Sequence, residues 1–201
     1  MTGTDRPDAL LLLTSTCPYC PAVLAALGEL VKSGKVRHIG ISNETPWGVA
    51  EFLKVAERLG LQRIVSIQNP YNLINRTFEI GLYEMCHREQ VSLLAYSPLA
   101  FGLLSGKYVN NPVESGRMTL YPDFGQRYYK PNVPAAVAAY TRLAEKHGLS
   151  PAQMALSFMR SRPFVASTII GATTMAQLRE NLSGIELSAE LLKSIEDIHL
   201  R

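Results

Sequence analysis

The feature that most constrains this chain is an alternation of short aliphatic runs with stretches of helical period. Ala9–Thr14 leads into the apolar-periodic Ala22–Lys32, which stops at Ser33-Gly34, a helix C-terminal signal. Val36–Ile41 precedes a second helix. Thr45 fits its N-cap, Pro46 its first position and Gly60 its end, with Val49, Phe52, Leu53, Ala56 and Leu59 along one face. Arg63–Gln68 reads as a strand, Arg76–Arg88 as a helix and Ser92–Tyr96 as a strand. Pro134–His147 and Pro151–Arg160 read as helices, the second capped by Ser150. Val165–Ile170 is then a strand, and Thr174–Leu182 and Ser188–Leu200 are helices. Strands that are aliphatic throughout belong to parallel sheets with helices on both faces. About five βα units in series therefore predict an α/β layer fold. The alternation lapses once. Pro98–Asn132 interleaves Gly, Pro and aromatics and reads as a long loop, of the kind that in compact domains usually serves function.

Composition acts by exclusion. The net charge is +3 on 201 residues, with no Lys/Arg stripe, so neither nucleic acid nor a membrane surface is expected as a partner. The longest aliphatic stretch, Ala9–Leu13, is far short of the ~20 residues of a membrane span. Met1–Asp8 has no basic region leading into a cleavable apolar core, so the expected location is cytoplasmic. Three cysteines make no secreted disulfide framework, and with no second ligand pair no metal is expected.

In parallel α/β sheets the active surface lies at the C-terminal strand ends. Here those ends carry Ser42-Asn43, Gln68-Asn69, Tyr96-Ser97-Pro98, and Gly171-Ala172-Thr173-Thr174 followed by a helix with Gln177, Arg179, Glu180 and Asn181. Amides suit a carboxamide, and a flat aromatic suits a heteroaromatic ring. A Gly-Ala-Thr turn opening a helix suits a phosphate, because free N–H groups and the dipole point at it. Together they describe a nucleotide site.

From about Leu24 to Arg201 these strings resemble the C-terminal half of the aldo-keto reductases, and within them a bacterial NADP(H)-dependent subgroup. The matching strings are Gly34-Lys-Val-Arg-His-Ile-Gly-Ile-Ser-Asn43, Ile67-Gln-Asn-Pro-Tyr-Asn72, Leu94-Ala-Tyr-Ser-Pro-Leu99, Gly102-Leu-Leu-Ser-Gly-Lys107 and Ile170-Gly-Ala-Thr-Thr-Met-Ala-Gln-Leu-Arg-Glu-Asn181. The resemblance implies a partial (β/α)₈ (TIM) barrel, holding strands 4–8 of the family's eight, and NADP as cofactor. It makes Ser42, Asn43 and Gln68 the carboxamide contacts and Tyr96 the ring stacked on the nicotinamide. Ser97, Leu99, Gly102, Ser105 and Lys107 become the pyrophosphate loop, and Gly171, Thr173, Gln177, Glu180 and Asn181 the adenosine and 2′-phosphate end. A whole barrel of this kind takes about 250 residues, so an open sheet is expected to recruit a second copy or a partner chain.

The family's Asp, Tyr and Lys lie on segments with no counterpart here, and the expected place of its His reads Leu12-Leu-Thr-Ser-Thr-Cys17. No catalytic residue is therefore assigned. His38 and His87 read as structural, and among Tyr121, Tyr128 and Tyr129 a phenol without a Lys or Asp beside it makes a poor proton donor. Residues 9–32 resemble the strand–CxxC–helix opening of a thioredoxin or glutaredoxin, with Cys17 and Cys20 as redox candidates. The expected organisation is a graft over 1–23 joined to a half-barrel over 24–201. The expected function is an aldo-keto reductase-like, NADP(H)-linked oxidoreductase of small carbonyl or alcohol compounds, with little or no turnover alone. The alternatives are a thiol–disulfide oxidoreductase through Cys17 and Cys20, and a non-enzymatic nucleotide-binding or assembly partner.

Overall fold

The computed structural model describes residues 10–14, 20–111 and 115–199. Two compact units emerge, the first from residues 1–69 and 78–94, the second from residues 70–77 and 95–201.

The first unit is a parallel sheet with its helices. β1 (Leu10–Thr14), β2 (His38–Ser42) and β3 (Ser66–Pro70) lie in register, Leu10 opposite His38, Thr14 opposite Ser42 and Ser42 opposite Gln68. β4 (Ser92–Tyr96) continues the order, the Ser92 N–H donating to the Val65 carbonyl at 3.0 Å. The connections are α1 (Cys20–Lys32), α2 (Pro46–Leu59) and α3 (Leu82–Glu89). The residue-23 boundary expected from the sequence falls inside α1. Ile39, Ile41, Ile64, Ile67 and Leu93 are at most 1% exposed, each such side chain contributing about 1.5–3 kcal/mol of burial. α2 opens as read. Thr45 Oγ1 accepts the Gly48 N–H at 3.2 Å, Pro46 follows, and Gly60 closes the helix by donating to the Ala56 and Glu57 carbonyls.

One expectation is corrected here. The helix read over Arg76–Arg88 is a single 3₁₀ turn, Thr77–Glu79, and then α3. Gly81 between them has φ +81°, a left-handed backbone that stops a right-handed helix from running through. The end of β2 leads into a tight turn. The buried Glu44 carboxylate lies 1.9 Å from where a Cβ of Gly48 would stand, so the first turn of α2 has no room for a side chain there.

In the second unit the Tyr71 N–H donates to the Tyr96 carbonyl at 3.3 Å. β5 (Val165–Thr168) joins next to β4, Ile169 N–H donating to the Ala95 carbonyl at 2.8 Å. It is shorter than the Val165–Ile170 strand expected. Ala166 and Ser167 are exposed, so the rule of strands covered on both faces does not extend to this last strand. Pro98–Asn132, read as a loop, is helical over much of its length. A 3₁₀ helix (Ala100–Ser105), α4 (Lys107–Asn110), α5 (Arg117–Leu120) and a second 3₁₀ helix (Pro122–Tyr128) follow one another. These pieces are too short to be stable by propensity. They persist because side chains pin them. Tyr128 meets Phe101 edge-on at 5.5 Å and accepts the Asn72 Nδ2–H at 2.8 Å.

α6 (Val133–Lys146), α7 (Pro151–Arg160), α8 (Met175–Leu182) and α9 (Ala189–His199) complete this unit. Ser150 caps α7 in a reciprocal box with Gln153, their bonds 3.1 and 3.0 Å. Glu196 on α9 pairs with Arg76 at 2.6 Å and also with Arg162, and both guanidinium groups lie over Phe158, at 5.3 and 4.1 Å from its centroid. Burial pushes the Glu196 carboxyl up, but the hydrogen bonds and charges of Arg76 and Arg162 outweigh it and hold it below its usual range.

Candidate functional site

In the first unit the ends of β2 and β3 form one hydrogen-bonded cluster. Ser42, 4% exposed, sets its Oγ 3.0 Å from the Gln68 carbonyl and 3.2 Å from Gln68 Oε1. Asn43 donates through Nδ2 to Ser42 Oγ at 3.2 Å and through its N–H to the Gln68 carbonyl at 3.0 Å. Parallel registry produces this, because Ser42 and Gln68 are opposite one another on adjacent strands. Asn43 itself has φ +57°, a region where Asn is among the few tolerated side chains. Beneath the cluster Asn69 clamps the next residue, accepting the Glu44 N–H at 3.2 Å and donating to its carbonyl at 3.0 Å. Asn69 was legible only as a strand-end amide and was given no role.

In the second unit Tyr96, half-buried at the end of β4, receives the Arg127 Nη1–H on its hydroxyl at 3.0 Å. The next residue, Ser97, has φ +56°, and its carbonyl accepts the Asn72 Nδ2–H at 2.8 Å. Leu99 accepts from the Gly102 N–H at 2.8 Å, and Ser105 donates its hydroxyl to the Gly102 carbonyl at 2.7 Å. The Ser97–Ser105 stretch is thus a turn knotted by its own backbone, with φ +47° at Ala100 and +58° at Phe101. Lys107 Nζ reaches the Ser115 carbonyl at 3.2 Å and sits 4.8 Å from the Tyr108 ring centroid.

The remaining residues gather at the start of α8. Thr174 caps it, and Thr173 donates both its N–H and its hydroxyl to Gln177 Oε1, each at 2.9 Å. Asn181, 4% exposed, ties back to the Gly171 carbonyl at 3.1 Å, and Glu180 accepts the Ser150 hydroxyl. Gly171 has no heavy atom within 4 Å of a built Cβ, so the turn before α8 is open.

Of the tyrosines weighed as proton donors, Tyr121 and Tyr129 are 64% and 54% exposed, whereas Tyr128 is 2% exposed. Burial, helped by the neighbouring Tyr96, raises the Tyr128 phenol above its ordinary value despite the hydrogen bond from Asn72 and the charge of Arg127. Its position makes it an anchor. His38 and His87 are exposed, His87 resting 6.0 Å from the Tyr83 ring. Cys17 lies outside the described residues. Cys20 enters only as the first backbone position of α1. Cys86 is buried, and burial pushes its thiol up to about 11.

The sequence reading missed Asn72 and Arg127. Asn72 ends the Ile67–Asn72 string directly after a strand, a signal sufficient to find it. Arg127 had none.

Comparison with known proteins adds a family and relatives. Residues 2–199 match the Aldo/keto reductase family, a span that includes the Cys17–Cys20 segment. The chain is 52% identical over 199 residues to Protein tas of Escherichia coli (strain K12), covering 98% of this chain and 55% of that protein. It is 41% identical over 165 residues to an aldo-keto reductase of Babesia bovis, covering 79% and 58%. It is 32% identical over 180 residues to the L-glyceraldehyde 3-phosphate reductase of Escherichia coli O157:H7, covering 86% and 52%. The chain spans about half the length of these curated relatives.

Proposed function

The chain belongs to the aldo/keto reductase family, and from that premise we propose that it is an NADP(H)-linked oxidoreductase of small carbonyl or alcohol compounds. The observation that carries this reading is the Ser42–Asn43–Gln68 cluster. It offers one hydroxyl and two side-chain amides at the ends of adjacent parallel strands, the donor and acceptor set a carboxamide requires. Tyr96 supplies a half-buried ring. The resemblance assigns the diphosphate to the turn from Ser97 to Lys107 and a further phosphate to the Thr174-capped start of α8, a helix N-terminus.

The dinucleotide, when bound, supplies the hydride. What falls to the protein is binding, orientation and protonation of the substrate oxygen. Asn43 and Gln68 orient the carboxamide end, a proximity contribution. Protonation lacks an assigned donor, and general acid catalysis contributes typically about 10²–10⁴-fold. NADPH oxidation with a nitrobenzaldehyde measures how much of that contribution this chain supplies.

Fluorescence titration with NADPH is the decisive test. Saturable binding is expected, tighter than for NADH, and no binding at millimolar ligand overturns the reading. A second reading, thiol–disulfide exchange, rests on the sequence string Cys17-Pro-Tyr-Cys20, since a Cys-x-x-Cys spacing favours a thiolate. Insulin reduction by the chain, abolished in Cys17→Ser, would replace the first reading if NADPH fails to bind.

A further inference from the structure

We propose that Arg127 is a ligand of the dinucleotide's diphosphate, a role the family resemblance does not give it; the inference rests on the nucleotide reading above. Its guanidinium donates to the Tyr96 hydroxyl at 3.0 Å and lies 5.6 Å from that ring's centroid. Among the described residues it pairs with no carboxylate, unlike Arg76 and Arg162, which share Glu196. Arg127 is exposed, yet the backbone that carries it is fixed. The next residue, Tyr128, is 2% exposed, meets Phe101 edge-on and accepts from Asn72 at 2.8 Å. Asn72 in turn donates to the Ser97 carbonyl at 2.8 Å.

Both of those ties, through Ser97 and Phe101, lead to the segment that follows Tyr96. In the dinucleotide only one ribose separates the nicotinamide, placed on Tyr96, from the diphosphate, placed on that segment. A guanidinium tied to the Tyr96 hydroxyl stands beside this junction. Its planar fork matches two phosphate oxygens. A phenol hydroxyl is a neutral partner, and exchanging it for an anion replaces a hydrogen bond with one charged partner by a hydrogen bond with two. Lys107, the cation that the resemblance does assign, is engaged with the Ser115 carbonyl and the Tyr108 ring, whereas Arg127 is bonded to Tyr96 itself.

The test uses the full chain and its Arg127→Gln and Arg127→Lys variants. NADPH and NADH are titrated by fluorescence at two salt concentrations, and 2′-adenosine monophosphate, which lacks the diphosphate, by calorimetry. In Arg127→Gln both dinucleotides are expected to bind about tenfold or more weaker, with a flatter salt dependence, and 2′-adenosine monophosphate within twofold of the parent chain. Arg127→Lys, keeping the charge without the fork, is expected to fall between, and carries the comparison if the glutamine variant melts early. Unchanged dinucleotide affinity in Arg127→Gln overturns the inference and leaves the nucleotide reading standing. A loss confined to NADPH moves Arg127 to the 2′-phosphate and overturns it too. Absence of binding by the parent chain removes the nucleotide reading and this inference together.

Discussion

The Ser42–Gln68 cluster of the first unit and the Tyr96–Tyr128 cluster of the second are built on opposite plans. Ser42 and Gln68 are 26 residues apart, one βα unit, and parallel registry alone makes them neighbours. Tyr128 and Asn72 are 56 apart, and Arg76 and Glu196 are 120 apart. No register rule relates either of these pairs. In the first unit the site is an outcome of the sheet, whereas in the second, long-range side-chain ties hold short helices that would not stand by themselves. The first plan tolerates loss of any one polar contact, and the second concentrates stability in a few anchors.

Tyr128→Ala gives that contrast its hardest test. Deleting a buried aromatic typically costs about 3–5 kcal/mol, and Tyr128 also holds Phe101 and Asn72. Urea unfolding should show a loss of that order, while Ser42→Ala should cost only about 1 kcal/mol. Equal losses would break the distinction between the two plans.

A smaller effect with a definite pH signature belongs to Glu196. Its carboxyl is held below the usual range in the folded chain. Its contribution is therefore present above the unfolded glutamate value and lost as pH falls through the folded one. Glu196→Gln should cost about 1–2 kcal/mol at neutral pH, discounted from the roughly 3–5 expected of a fully buried pair because the Glu196 side chain is 36% exposed. The melting temperatures of the two chains should converge below about pH 4, near and under the ordinary glutamate value. A difference independent of pH would assign the loss to packing.

The smallest effect sharpens the first-unit side. Thr45→Ala removes the acceptor for the Gly48 N–H and should cost about 1 kcal/mol, read as a shift in urea midpoint at constant slope. A change in slope would mean that the cap organises more than its own helix.

The same contrast explains what was legible in the sequence. The caps at Thr45 and Ser150 and the stop at Gly60 follow from local chemistry, and the structure has them where they were read. Ser42, Asn43 and Gln68 were legible because strand ends are found by counting. The break at Gly81 was not, since the helical pattern runs through it unaltered and only φ betrays it. The helical turns inside Pro98–Asn132 were hidden for a different reason: their stability resides in Asn72, which precedes β4. Arg127 escaped because its partner, Tyr96, lies 31 residues upstream on another element.

Asn43 and Ser97, each at a strand end, both hold a left-handed backbone that glycine would adopt with less strain. Glycine at either place would relieve that strain and delete the side chain, so at these two positions backbone comfort and side-chain chemistry pull in opposite directions. An engineer seeking a hardier version of this protein would find glycine there an easy gain and would be removing the amide and the hydroxyl with it.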